Sequence, residues 1–245
     1  MKSISKFALA ASIGLALTFT LSCSGDDGEG DSGSSSSGGT QGGVSSSYDG
    51  GDGGSSSSAV QCLDTDSGTF TDDRDGKEYK YVTICSQIWM AENLNYNVEG
   101  SKCGNESSGK LTDNETDCTK YGRLYDWNTA LTVCPSGWHL PSNAEWDALM
   151  TAVGGASTAG TKLKATSGWN SNGNGTNNYG FSALPGGRGN PAVTFYDAGN
   201  RGGWWSASER NSDYANLRLM LYDFEVAPWD NDGKSRLYSV RCIKD

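Results

Sequence analysis

Carboxylates are the most plentiful reactive groups in this chain, with 29 Asp and Glu against 19 Lys and Arg. A pair such as Glu92 with Asp126 is the kind a glycosidase uses, provided the two carboxyls stand about 5 to 9 Å apart. The runs Asp72-Asp73-Arg74-Asp75 and Asp230-Asn231-Asp232 gather oxygens of the kind Ca²⁺ takes, with Asp230 and Asp232 as the candidate ligands. Hairpin turns have the same Asp/Asn-rich composition, so turns are the preferred reading and no cofactor is expected. A lone histidine, His139, rules out a centre needing two or three imidazoles, and its expected role is a structural hydrogen bond. There is no Gly-x-Ser-x-Gly elbow. The aromatic side chains offer a different chemistry. Trp204, Trp205 and Trp229, near Tyr196 and Tyr214, could stack on the C–H face of a sugar ring. Tandem Trp204-Trp205 on a strand sends one ring inward, leaving the other for a ligand, whereas Trp138 and Trp146 belong to the core.

Cysteines come next, because they decide what holds such residues in place. Cys62, Cys85, Cys103, Cys118, Cys134 and Cys242 form an even set that argues for three disulfides in an exported chain. Six cysteines allow fifteen connectivities. Spacing favours Cys103 with Cys118, closing a polar loop too poor in apolar residues to order itself. Position favours Cys134 with Cys242, which leaves Cys62 with Cys85. The seventh cysteine, Cys23, is odd, and its setting explains it. Lys2 and Lys6 precede an apolar run from Phe7 to Leu21, a signal peptide rather than a membrane span. The following Leu21-Ser22-Cys23 resembles a bacterial lipobox, with Thr20 a weaker match. Residues 1–22 are therefore expected to be removed and Cys23 to carry the lipid, the only membrane attachment expected.

Residues 23–60 read as a tether. They carry six acids (Asp26, Asp27, Glu29, Asp31, Asp49 and Asp52), no base, and almost no apolar side chain, so nothing offsets the entropy of ordering them. A Gly/Ser chain of this length reaches about 30 to 40 Å. The whole chain has a net charge of −10 and a hydrophobic share of 35%. Setting aside the signal (+2) and the tether (−6) leaves −6 on residues 61–245, an acidic balance without a basic stripe. That excludes nucleic acid as a partner, since binding it depends on counterion release.

Residues 61–245 suit one domain and contain all eight Trp. Gly68 to Asp72 and Lys77 to Ile84 read as strands of a hairpin around Asp73-Arg74-Asp75-Gly76, and Ile88 to Met90 as a third strand. Asp126 to Val133 reads as a short helix with Trp127, Ala130 and Leu131 inward. Ser142-Asn143-Ala144-Glu145 is a capping box opening a helix whose Trp146, Leu149, Met150 and Val153 share one face, with Gly154-Gly155 as its stop. Further short strands are expected at Val193 to Tyr196, Trp204 to Ser208, Tyr214 to Leu221 and Leu237 to Ile243. The fold class expected is α+β: two short helices, a small antiparallel sheet and much ordered coil, held by disulfides.

Six stretches in order carry a family resemblance: Gln87-Ile-Trp-Met-Ala-Glu-Asn-Leu-Asn95, Tyr121-Gly-Arg-Leu-Tyr-Asp-Trp127, Cys134-Pro-Ser-Gly-Trp-His-Leu-Pro-Ser-Asn-Ala-Glu-Trp146, Gly180-Phe-Ser-Ala-Leu-Pro185, Trp204-Trp-Ser-Ala-Ser208 and Tyr238-Ser-Val-Arg-Cys242. Over residues 68 to 245 the chain resembles the Fibrobacter succinogenes major paralogous domain. That family is similar to the formylglycine-generating, sulfatase-modifying-factor fold and, through it, to the C-type lectin fold. The resemblance implies a lectin-like scaffold but not the enzyme's chemistry. Those enzymes bind copper through two late cysteines, and none lies between Cys134 and Cys242 here. A relative that uses three His for iron is excluded in the same way.

The expectation is a non-catalytic, lipid-anchored, monomeric module of the cell envelope, at the outer membrane or cell surface. Its expected partner is a polysaccharide. An envelope protein bound by a display or scaffold domain is the alternative, and a metal-dependent enzyme of the sulfatase-modifying type is the disfavoured third.

Overall fold

The computed structural model describes residues 66–191 and 194–245. The signal segment, Cys23, the tether and Cys62 lie outside the described residues. The described chain is α+β, with more sheet than expected. Its first half runs β1 (Ser67–Thr71), β2 (Glu78–Ile84), β3 (Gln87–Met90), β4 (Cys103–Asn105), β5 (Lys110–Thr112), α1 (Glu115–Cys118), β6 (Leu124–Tyr125), α2 (Trp127–Ala130), β7 (Trp138–His139) and α3 (Asn143–Ala152). Then follow α4 (Ala156–Leu163), β8 (Gly186–Asn190), β9 (Thr194–Ala198), β10 (Arg201–Glu209), β11 (Tyr214–Leu221), β12 (Trp229–Gly233), β13 (Tyr238–Ser239) and β14 (Ile243–Lys244).

One sheet is antiparallel in the order β1-β2-β3-β14-β7, and the other runs β12-β11-β10-β8-β9-β5-β4, with β13 and β6 joined to it through β10. The β1–β2 hairpin forms where expected, and alternation along β2 sends Val82 and Ile84 into one core cluster and Tyr79, on the opposite face, into the other. Its turn is held by Arg74, whose guanidinium donates to both Asp72 oxygens at 2.8 and 2.6 Å. In α3 the capping box is present: Ser142 Oγ accepts from the Glu145 amide at 3.3 Å while Glu145 accepts from the Ser142 amide at 2.7 Å. This sets the register that buries Trp146, Leu149 and Met150.

The tandem tryptophans of β10 divide the interior. Adjacent strand residues point to opposite faces, and here both faces are covered. Trp204 joins Trp89, Trp146 and Phe181 in one cluster, while Trp205 joins Tyr125, Trp127 and Tyr238 in another. The preceding glycines make room: a Cβ on Gly202 would lie 2.5 Å from the Trp204 ring, and one on Gly203 2.7 Å from the Tyr238 ring.

Between the sheets sits a buried polar hub. Asn93 Nδ2 donates to the Tyr121 carbonyl at 2.9 Å, and Arg241 Nη2 donates to Asn93 Oδ1, also at 2.9 Å. The fully buried Arg241 has no carboxylate within salt-bridge reach among the described residues. Instead it donates to the carbonyls of Phe181 and Ser182 and lies over the Phe181 ring. Burial, only weakly opposed by Glu92, pushes its pKa down to about 9.

Several elements depart from expectation. Four short helices replace two. Helix α4 has Gly155 at its N-cap and no side-chain cap, so it carries no start signal, yet Ala159, Gly160 and Leu163 dock it on the core. Strand β8 is Gly-Gly-Arg-Gly-Asn, which reads as coil; its glycines let neighbours close in, with a Cβ on Gly189 only 2.9 Å from Leu111. Leu131 is exposed rather than inward because α2 ends one residue earlier. The run Leu237 to Ile243 is two strands in different sheets rather than one. No helix among the described residues is long and apolar enough to cross a membrane.

Two expected disulfides are present, Cys103–Cys118 and Cys134–Cys242. Cys85 is also disulfide-bonded, and Cys62, the partner expected for it, lies outside the described residues.

Candidate functional site

An open cleft of ≈ 980 Å³ is built from segments far apart in sequence, within the range of about 300 to 1,000 Å³ typical of ligand sites. One wall is the N-terminal end of α2 with Asp126, Asn128 and Thr129. A second is the β10–β11 turn with Ser212 and Asp213, and a third the β12–β13 connection with Gly233, Lys234 and Ser235. The far side carries Lys102, Leu111 and Asp113, with Pro191 and Leu237.

Backbone bonds knit the three near walls together. The Trp127 amide donates to the Lys234 carbonyl and the Lys234 amide to the Asp213 carbonyl, both at 2.9 Å. Asp126 caps α2, accepting from the Thr129 amide at 2.9 Å and hydroxyl at 3.2 Å. The far wall is stapled by Cys103–Cys118, which encloses Leu111 and Asp113. Lys102 reaches both Asp113 oxygens at 2.7 and 3.0 Å. Lys234 donates to Glu209 at 2.6 Å and stands 4.5 Å from the centre of the Trp127 ring.

The structure scatters the aromatic candidates. Trp204 and Trp205 are both 0% exposed, so neither offers a face to a sugar. The expectation that one of them would is corrected, because the sheet carrying them is covered on both sides. Each indole donates inside the core, Trp204 to Asn93 and Trp205 to the Tyr125 carbonyl. Trp229 has one ring face taken by the Arg218 guanidinium at 3.7 Å and its nitrogen on Asp147 at 2.9 Å. It lies at the end of β12 opposite Gly233, away from the cleft lining. Tyr196 is covered by Arg188 at 4.7 Å and accepts from Arg236. Tyr214 is different: 45% exposed, it follows Asp213 and pairs with Gly233, both cleft residues.

The calcium candidates are corrected too. The run Trp229-Asp-Asn-Asp-Gly is the edge strand β12, not a turn, and its acids face arginines. Asp230 accepts from Arg201 at 2.8 Å, while Asp232 accepts from Tyr238 at 2.8 Å beside Arg188 at 3.6 Å. Burial, reinforced by Asp232, pushes the Tyr238 phenol well above the usual tyrosine range. No group of three His, Cys, Asp or Glu among the described residues could hold a metal ion. Glu92 and Asp126 do not share a site: Asp126 lines the cleft, and Glu92 lines two other hollows. His139 makes the expected structural contacts, Nε2 to Glu145 at 2.7 Å and Nδ1 to Asp245 at 2.6 Å.

Sequence reasoning missed Asn128, Asp213, Lys234 and Lys102. They are ordinary loop and turn residues, and only the pairing of β11 with β12 and of β6 with β13 brings their segments together. Most of the residues in the six motif stretches lie elsewhere, in the core: Trp89, Trp146, Phe181, Tyr238 and Arg241 are all buried. The profile of the Fibrobacter succinogenes major domain matches residues 82–244. The chain belongs to that family. No curated protein and no solved structure matches it. The span matched by the Fibrobacter succinogenes major domain holds both this buried framework and the cleft lining, and Asp126 is the motif residue that also lines the cleft.

Proposed function

We propose that this chain is an exported binding module, anchored by lipid on Cys23 and held off the membrane by its Gly/Ser tether, that grips a polysaccharide in the cleft without turning it over. One observation carries this reading: an open cleft whose near walls are fused by backbone hydrogen bonds and lined by hydroxyl, amide and carboxylate groups. Rigid walls lower the ordering cost of binding, and such groups match the paired donors and acceptors of sugar hydroxyls. The carboxylates Asp113 and Asp126 are held by Lys102 and by Thr129, which suits them to positioning rather than proton transfer. The same scaffold reading extends the family's kinship to lectin-like folds, with loops presenting the ligand site.

The test is retention of the full chain on insoluble polysaccharide. Ser235→Trp, an exposed substitution that fills the cleft, should abolish retention, and Trp229→Ala should leave it intact. Equal retention of Ser235→Trp and the parent would remove the cleft from consideration. For the anchor, Cys23→Ser should shift the chain from the membrane fraction to the soluble one.

A further inference from the structure

We infer that the ligand of the cleft is an uncharged, hydroxyl-rich glycan, read chiefly by Asn128 and Asp213; this rests on the cleft being the binding site. The argument is one of spent and unspent groups. Two cations line the cleft, and each is already held: Lys102 bonds both oxygens of Asp113, and Lys234 bonds Glu209 while covering Trp127. Three carboxylates line it, Asp113, Asp126 and Asp213, so the lining carries an excess of negative charge. An anionic glycan would meet Asp126 and Asp213 with no cation to spare, and like charges brought together disfavour the partner that carries them.

A positively charged chain has no built seat either. The Asp126 oxygens already accept two hydrogen bonds from Thr129, and Asp113 is neutralised by Lys102. That leaves one carboxylate, Asp213, whose side chain has no hydrogen-bond partner among the described residues. The Asn128 amide is in the same position. Together they present an acceptor pair and a donor-acceptor amide from two walls of the same cleft. Ser212 and Ser235 add hydroxyls, and Tyr214, exposed and paired with the cleft residue Gly233, offers a flat apolar face of the kind a sugar's C–H surface prefers.

The experiment compares the full chain on three soluble probes: an uncharged β-glucan, anionic polygalacturonate and cationic chitosan, each at low and high salt. The expected result is binding to the β-glucan at least tenfold tighter than to either charged probe, changing less than twofold with salt. Asn128→Ala and Asp213→Ala should each weaken β-glucan binding about three- to tenfold, the worth of one hydrogen bond. Both side chains are exposed and unpartnered, so both variants are expected to fold, and an unchanged melting temperature checks this. Tighter binding to polygalacturonate or chitosan, lost with salt, overturns the uncharged-ligand inference while leaving the cleft as a binding site. β-glucan binding insensitive to both substitutions overturns the assignment of the reading residues. Binding to none of the three overturns this inference together with the polysaccharide reading beneath it.

Discussion

The Trp204 indole nitrogen donates to the Asn93 side-chain oxygen at 2.8 Å, joining two family motifs that are 111 residues apart. The same oxygen accepts from Arg241, so one amide satisfies an indole and a buried guanidinium at once. Asn93→Ala should leave the Trp204 indole without its acceptor and take one acceptor from Arg241, which keeps the carbonyls of Phe181 and Ser182, at a cost of about 1.5 to 3 kcal/mol, the scale of a hydrogen bond to a charged group. Urea unfolding at constant m measures it. A loss below about 1 kcal/mol would mean that the carbonyls of Phe181 and Ser182 suffice for Arg241.

The two tryptophans of β10 should behave alike. Trp204→Ala and Trp205→Ala each empty a fully buried site and should cost about 3 to 5 kcal/mol. Thermal melts would show both destabilised. A variant of either that melts normally yet loses a ligand would contradict the burial of its ring.

His139 makes stability depend on pH. Burial disfavours its charged form, but hydrogen bonds to Glu145 and Asp245 outweigh this and raise its pKa above the ordinary 6.5. The stabilisation is therefore complete below about pH 6.5 and is lost as pH rises through the higher folded value. Glu145 has the opposite sign: burial would raise it, but the Ser142 amide and His139 hold it below its ordinary 4.5, so its contribution fades as pH falls through that lowered value. Melting temperature followed from pH 5 to 9 should fall on the alkaline side, and His139→Asn should flatten that limb. An unchanged limb in the variant would assign the slope elsewhere.

The disulfides should be unequal. Cys134–Cys242 closes a separation of 108 residues and Cys103–Cys118 one of 15, so chain entropy gives about 4.7 against about 3 kcal/mol. The double variant Cys134→Ser/Cys242→Ser should thus be the less stable in denaturant titration. Cys103→Ser/Cys118→Ser should chiefly loosen the far wall of the cleft and weaken ligand retention. The reverse order of stabilities would show that loop length does not govern here.

Local signals carried much of the fold. The capping box at Ser142, the β1–β2 hairpin and the Cys103–Cys118 spacing are each set by residues close in sequence, and each appears as read. What escaped was what depends on distant partners. Strand β12 looks like a turn until Arg201 and Arg188 neutralise its acids, β8 looks like coil until Leu111 and Leu237 fill the space over its glycines, and α4 has no cap to announce it. The cleft was invisible for the same reason. Its residues are unremarkable in type, and Trp204 and Trp205, the conspicuous ones, are conspicuous because the core needs them.

Strand β14 lies between β3 and β7, pairing Ile243 with both Trp89 and His139. Synthesis is vectorial, so β1, β2 and β3 emerge early and must wait with an unsatisfied edge until residues 243 and 244 arrive, more than 150 residues later. Contacts so distant in sequence are slow to form, and a waiting strand edge invites pairing with other chains. The last described strand is the latch that closes this edge and ends that vulnerable interval.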